Sequence, residues 1–244
     1  MKTILLKFSG PLQSWGSSSH FETRHTDLYP SKSAVIGMIA AAFGYRRDSD
    51  AKIRRLNQLH FAVRIDQPGA MSKDYQTAHK YKNNTEPVVL DRTYVTQRYY
   101  LEDALFVVAV GHEDDDWIDE IAEALQHPYF PLYMGRRSYP VPADFFMGCI
   151  NTDVITALHQ QPWQASSWYQ RKHRKTKSVS LSLHADACLI PERKGNYRRD
   201  YVDSFSWEGR RYLLRQESKT LINIDNPSYK DEETEHDVFA WVEE

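Results

Sequence analysis

Cysteine is scarce in this sequence, since its 244 residues include only Cys149 and Cys188. Two cysteines cannot form the several cross-links of a small disulfide-stabilised domain or a site with four cysteine ligands. We therefore expect two buried free thiols and no bound metal ion. A chain of this length can bury a hydrophobic core without such supports.

Long apolar stretches are also missing. The longest, residues 34–43, is far shorter than the roughly 20 apolar residues of a membrane-spanning helix. Met1 leads directly into a predicted strand rather than into a secretory signal. The sequence therefore predicts a cytoplasmic protein with no membrane partner.

The common nucleotide-binding and hydrolase signatures are absent as well. Gly10 and Gly16 have five residues between them, one more than the G-x-x-x-x-G-K-[ST] phosphate-binding loop allows. No dinucleotide-binding glycine motif, nucleophile elbow or His-Glu-x-x-His zinc motif occurs. The sequence therefore predicts no cofactor.

Charged residues are plentiful but segregated along the chain. Residues 1–110 hold 15 basic and 10 acidic side chains, and residues 171–219 hold 13 and 6. Residues 111–126 hold 7 acidic and no basic side chains, and residues 220–244 hold 8 acidic and 1 basic. The net charge of −2 therefore does not exclude a nucleic-acid partner, because basic regions can act locally.

The order of the predicted elements indicates an α+β fold. Strand, helix, strand, strand, helix and strand are predicted in that order, at residues 3–8, 34–43, 61–65, 104–110, 117–126 and 145–150. This order matches the split βαβ pattern of ferredoxin-like and RNA-recognition folds.

The rest of the chain is predicted to form additions to this core. Residues 67–101 form a polar insertion with two extended arms and a turn at Asn83-Asn84. We therefore divide the chain into a core domain at residues 1–150, which includes the insertion, and a small β-rich region with an acidic tail at residues 151–244.

Two basic segments could contact phosphates. In Gly135-Arg136-Arg137-Ser138, the glycine permits close backbone approach and the arginines offer forked donors to phosphate oxygens. A tight turn with two solvated arginines is the simpler alternative. Residues 171–177 (RKHRKTK) are weaker evidence, because such runs are often solvated faces.

Metal-independent ribonuclease chemistry requires only a general base and a general acid near a 2′-hydroxyl. His20 and His25 in the loop after the first strand, or Tyr75, His79 and Lys80 in the insertion, are residues of suitable types. Sequence alone does not show that any of them converge, so binding and cleavage both remain open.

Four short segments keep a characteristic order and spacing over roughly the first 150 residues. They are residues 10–16 (GPLQSWG), 30–33 (PSKS), 74–77 (DYQT) and 133–138 (YMGRRS). These segments resemble the CasD-type subunits of the Cascade complex in type I-E CRISPR systems, which belong to the repeat-associated mysterious protein (RAMP) superfamily.

The resemblance implies a modified ferredoxin-like (RRM-like) RAMP core with a β-hairpin thumb at about residues 67–101. It implies a non-catalytic subunit that caps the 5′ handle of CRISPR RNA and contacts a CasC-like backbone subunit and a CasA-like large subunit. Target DNA would be contacted only indirectly. Relatives in type I-C systems cleave precursor RNA themselves, so a metal-independent endoribonuclease is the alternative.

The resemblance also implies which residues bind RNA. The first loop, the entry to the first helix and the glycine-arginine turn would line the handle pocket, at Gln13, Trp15, Arg24, Lys32, Ser33, Gly135, Arg136, Arg137 and Ser138. On the thumb, Tyr75, Arg92 and Arg98 would order or kink the RNA near its junction with the spacer. No catalytic residue and no metal ligand is assigned.

Overall fold

The computed structural model describes residues 1–16, 22–82 and 88–230. The strands are β1 (Lys2–Ser9), β2 (Leu12–Gln13), β3 (Thr23–Arg24), β4 (His60–Gln67), β5 (Ala70–Tyr81), β6 (Leu90–Glu102), β7 (Leu105–His112), β8 (Phe146–Ile150), β9 (Ser178–Asp186), β10 (Asn196–Ser204) and β11 (Arg211–Asp225). The helices are α1 (Lys32–Ala42), α2 (Asp50–Leu56), α3 (Asp115–Gln126), α4 (Val154–Gln160) and α5 (Ser167–Lys172). Of these helices, none combines the length and the apolar character needed to cross a membrane.

A seven-stranded sheet with the order β10-β11-β9-β4-β7-β1-β8 is the frame of the molecule. Its pairs are antiparallel. Strands β7 and β1 lie between the central strand β4 and the edge strand β8, and their nearly continuous apolar runs are buried on both faces. Alternate residues of β1 face opposite sides of the sheet. Ile4 and Leu6 pack with α1, α2 and α3 on one side, whereas Leu5 packs with α4 on the other.

Local signals explain where the helices on the first face begin and end. Ser31 caps α1, because its side chain accepts a hydrogen bond from the Ala34 amide at 3.3 Å, and Gly44 follows the helix at φ 70°. Asp114 caps α3 by accepting from the Trp117 amide at 3.1 Å. Asp115 and Asp116 then place negative charge in its first turn.

A long hairpin, β5 and β6, projects from the frame as a second sheet. Its arms pair over nearly their whole length, from Ala70 opposite Glu102 to Tyr81 opposite Leu90. Strand β2 pairs antiparallel with the base of β6, and β3 pairs parallel with its middle. The predicted turn at Asn83-Asn84 lies outside the described residues.

The C-terminal strands extend the same sheet rather than forming a separate one. Strand β9 pairs with β4 from Ala62 opposite Ala185 to Ile65 opposite Ser182, and β11 and β10 follow. The domain boundary near residue 150 stays a prediction. Residues 231–244, which hold most of the acidic tail, lie outside the described part of the chain.

Three local expectations differ from the structure. The alternation of apolar and other residues at positions 61–66 predicts a strand buried on one face. Strand β4 is instead buried on both faces, because Arg64 pairs with Asp66 at 2.6 Å and donates to carbonyls at the end of α4. The sequence of residues 163–169 predicts a loop, but a short helix, α5, begins within this segment at Ser167. Cys188 is exposed and Cys149 is half-buried, so neither is a fully buried thiol.

A buried network of ion pairs joins α1 to the C-terminal strands. Arg215 of β11 contacts Asp186 at 2.9 Å, Asp200 at 2.8 Å and Glu217 at 2.7 Å. Lys32, the first residue of α1, donates to Asp186 at 3.0 Å from its ammonium and to Asp200 at 3.0 Å from its amide. The network therefore fixes the start of α1 against β9, β10 and β11.

Candidate nucleic-acid interface

A large groove opens on the face of the sheet that carries α1. Its volume is about 1470 Å³, and its walls come from the first loop, α1, the segment at residues 130–140 and the β10–β11 turn. Sites for small molecules are typically about 300–1,000 Å³. The size of the groove therefore favours a polymer or an extended ligand.

Three arginines from separate parts of the sequence meet at one end of this groove. The parallel pairing of β3 with β6 sets Arg24 opposite Arg98. The guanidinium of Arg136 lies 4.2 Å from the centroid of the Tyr100 ring and donates to its hydroxyl. With the exposed Arg137, these side chains line the groove and are called the arginine cluster below.

A close backbone contact holds the glycine-arginine turn in this place. The Ser14 amide donates to the Met134 carbonyl at 3.2 Å. Gly135 has φ 83°, and a Cβ there would lie 1.6 Å from the Ser14 carbonyl oxygen. Any side chain would force the turn away from the first loop, so glycine is needed for this geometry.

The electrostatics of the cluster favour an anionic ligand. Burial lowers the pKa of Arg136, and the nearby charges of Arg98 and Arg24 act in the same direction, against Tyr100 and Tyr139. Nε of Arg98 is buried and has no hydrogen-bond partner among the described residues. A bound phosphate would supply both the missing acceptor and the opposing charge.

Four predicted RNA-binding residues, Gln13, Trp15, Lys32 and Ser33, have buried side chains. Gln13 donates to the Ala104 carbonyl at 2.7 Å and accepts from the Trp15 indole at 3.0 Å. Trp15 packs edge-on against Phe8, with ring centroids 5.1 Å apart. Lys32 belongs to the ion network, and Ser33 lies next to Ser31 with 3.1 Å between hydroxyls. Trp15 and Ser33 also line the groove, whereas Gln13 and Lys32 do not, and the RNA contacts of all four stay predictions.

The remaining predicted residues divide between groove and hairpin. Gly135 lines the groove with the arginine cluster, and Ser138 is exposed in the same turn. Tyr75 and Arg92 are exposed on the β5–β6 hairpin and do not line the groove. The structure therefore brings Arg24, Arg98 and the glycine-arginine turn together and leaves Tyr75 and Arg92 apart.

The groove is also lined by residues that the sequence patterns did not single out. Arg46 and Arg47 follow α1, while Trp207 and Arg210 belong to the β10–β11 turn. Two arginine doublets, at 46–47 and 210–211, were the available signal. It was weak because the two segments are far apart in sequence and only the sheet brings them together.

Among the described residues, those proposed for acid-base chemistry do not converge. Tyr75 and His79 are four positions apart on one extended strand, a separation of roughly 13 Å. His79 pairs with Thr93 at 3.0 Å, and His25 stacks on Tyr99 with centroids 5.3 Å apart. His20 lies outside the described residues. Within the described ranges, no group of three His, Cys, Asp or Glu side chains is arranged to hold a metal ion.

Comparisons with known proteins agree on one family. Residues 3–239 match the family described as CRISPR-associated protein (Cas_Cas5). The chain is 30% identical over 167 residues to the CRISPR system Cascade subunit CasD of Escherichia coli (strain K12). This alignment covers 64% of this chain and 75% of the relative.

Solved structures give the same result. A chain of a CRISPR RNA-guided surveillance complex matches with a TM-score of 0.74 and 31% identity, covering 91% of each chain. A structure described as a Cas protein matches with a TM-score of 0.62 and 28% identity, covering 93% of this chain and 97% of the other. The mixed α and β architecture is thus shared with these proteins.

Proposed function

The chain belongs to the CRISPR-associated (Cas_Cas5) family as a CasD-type member, and we propose that it is a non-catalytic RNA-binding subunit of a type I-E Cascade complex. The arginine cluster, in a groove larger than typical small-molecule sites, is the observation that carries this proposal. The groove holds the 5′ handle of CRISPR RNA, with the phosphates at the arginines and splayed bases along the wall.

The architecture supports the finer assignments. The order β4-β7-β1-β8 within the large sheet, with α1 and α3 on one face, is the arrangement expected of a ferredoxin-like RAMP core. The β5–β6 hairpin is the thumb, and its Tyr75 and Arg92 contact RNA beyond the groove. The division near residue 150 then separates this core from a C-terminal extension of its sheet.

The thumb also offers a surface for protein partners. Near its tip, the large hydrophobic side chains of Tyr81, Val88, Val89 and Leu90 are 41–72% exposed. Exposed apolar side chains grouped on one element are typical of interaction sites. We assign this surface to a CasC-like backbone subunit, place a CasA-like large subunit beside the RNA-filled groove, and assign no direct contact to target DNA.

Purification of the tagged chain from its host, followed by sequencing of the bound RNA, tests the proposal. We expect copurifying Cascade-type subunits and RNA that begins with a constant repeat-derived segment. The Arg136→Ala, Arg137→Ala variant should recover less of this RNA. Absence of such RNA from the wild-type sample would overturn the proposal.

Cleavage of precursor RNA is the second candidate, favoured only by the residue types of Tyr75 and His79. Incubation of the chain with labelled repeat RNA in EDTA separates the two. The separation of these side chains along β5 predicts no specific product. Specific cleavage that disappears in Tyr75→Phe or His79→Ala would replace the binding proposal.

A further inference from the structure

Trp207 is the most exposed tryptophan in the described part of the chain. Its side chain is 83% exposed, whereas Trp15, Trp117 and Trp163 are at most 4% exposed. Tryptophan is highly buried on average, and its large apolar surface makes exposure unfavourable. A ring of this size in solvent, within the walls of a groove, therefore indicates a surface that a ligand covers.

The ring of Trp207 contacts a cation. The guanidinium carbon of Arg47 lies 4.1 Å from its centroid, within the distance of a cation–π contact. Arg47 comes from the segment between α1 and α2, and Trp207 from the β10–β11 turn. Two segments that are far apart in sequence thus meet at the ring, and the exposed fraction of Trp207 shows that much of it stays open.

The groove connects this pair to the arginine cluster. Both Trp207 and Arg47 line the same groove as Arg98 and Arg136. Small and apolar residues of α1 also line the groove, among them Ala34, Gly37, Met38 and Ala41. A single strand in the groove would therefore meet both cationic groups and apolar surface, which suit phosphates and bases respectively.

We infer that Trp207 and Arg47 form a stacking site for one unpaired base of the RNA in the groove, with Arg210 beside the neighbouring phosphate. This inference rests on the proposed function and adds a second point of attachment to it. Stacking on an aromatic face is tolerant of base identity, because every base has a π-face. The site accordingly fixes the position of a nucleotide rather than reading its sequence.

Binding of single-stranded RNA, with the sequence recovered from the host, tests the inference. The full-length chain is used together with the subunits that copurify with it. Trp207→Ala should weaken binding by about 5- to 150-fold, the range expected when one base no longer stacks. Trp207→Tyr should retain most of the affinity. Trp168→Ala is the matched control, because Trp168 is also an exposed tryptophan, at 51%, but lies on α5. Its neighbour Tyr169 packs against the face of the sheet opposite to the groove.

A scan with abasic nucleotides locates the stacked base. One position should weaken wild-type binding when its base is removed and should have no further effect in Trp207→Ala. Equal binding by wild type and Trp207→Ala would overturn the stacking site while leaving the groove intact. Failure of the wild type to bind any RNA would instead overturn the proposed function, and the inference with it.

Discussion

The arginines of the buried ion network and those of the arginine cluster differ in what neutralises them. Arg215 contacts three carboxylates within 2.9 Å, and Arg198 contacts Asp27 at 2.8 Å. In the arginine cluster, Arg24, Arg98, Arg136 and Arg137 form no ion pair with any acidic side chain among the described residues. Arg136 instead donates to the hydroxyl of Tyr100 and to the carbonyl of Tyr99.

This difference separates structural arginines from binding arginines. A guanidinium whose charge is matched inside the chain holds the fold together, and removal of one partner leaves a buried charge uncompensated. A half-buried guanidinium without a matching carboxylate keeps its donors available for an anion. Charge counts along the sequence cannot distinguish the two, because they do not show where each opposite charge lies.

Replacement of Arg215 should give the largest effect. Arg215→Met leaves Asp186, Asp200 and Glu217 without their shared partner, and we expect the free energy of unfolding to fall by about 3–5 kcal/mol. Urea denaturation of the full chain measures this. Arg199→Met, at an exposed neighbouring position on β10, should change stability by no more than about 0.5 kcal/mol. Equal stabilities of the two variants would contradict the structural role of the network.

Acid should weaken the network in a defined pH range. Burial alone would raise the pKa of Glu217, but the hydrogen bond with His184 and the charges of Arg198 and Arg215 outweigh it and lower this pKa to about 2. Because the folded-state pKa lies below the unfolded value, the stabilisation is complete above about pH 5 and disappears as the pH falls toward 2. The contribution of ionised Glu217 to the free energy of unfolding is on the order of 3 kcal/mol.

Denaturation of wild type and Glu217→Gln at a series of pH values measures that contribution. The variant should be less stable at pH 7, and the difference should shrink as the pH falls from about 5 toward 2. A difference that stays constant over this range would show that Glu217 does not titrate with folding.

Replacement of Arg98 should change RNA affinity strongly and stability little, whereas replacement of Arg215 should lower stability strongly. Arg98→Met keeps much of the side-chain length and removes a buried Nε that has no hydrogen-bond partner among the described residues. We therefore expect the free energy of unfolding to change by about 1 kcal/mol or less. RNA affinity should fall about tenfold or more, since hydrogen bonds to charged groups contribute roughly 1.5–3 kcal/mol. A large drop in stability with unchanged RNA affinity would move Arg98 to the structural group.

Local signals explain which parts of the fold the sequence could predict. The apolar runs of β1 and β7 and the capped, one-sided pattern of α3 determine those elements with little outside help. Burial of Arg64 on the second face of β4 was not predictable from alternation, because α4 supplies its partners almost 100 residues later. The membership in a CasD-type family, read from four short segments, is confirmed.

The candidate site was harder to predict because polar residue types do not reveal their partners. Gln13 and Lys32 are polar, yet both are buried. Gln13 donates to a carbonyl 91 residues away, and Lys32 donates to a carboxylate 154 residues away. Conversely, Trp207 lies in a turn that became part of the groove only through sheet pairing. The RNA-binding roles of the exposed arginines stay predictions.

The salt dependence of RNA binding tests the central claim most directly. Each phosphate bound in a single-stranded complex contributes about 0.7 to the slope of log affinity against log salt concentration. Measured in the copurified complex, the slope of Arg136→Ala, Arg137→Ala should be smaller than that of the wild type by about 0.7 for each phosphate that the variant no longer binds, with reduced affinity throughout. An unchanged slope and affinity would show that the arginine cluster does not bind the RNA backbone.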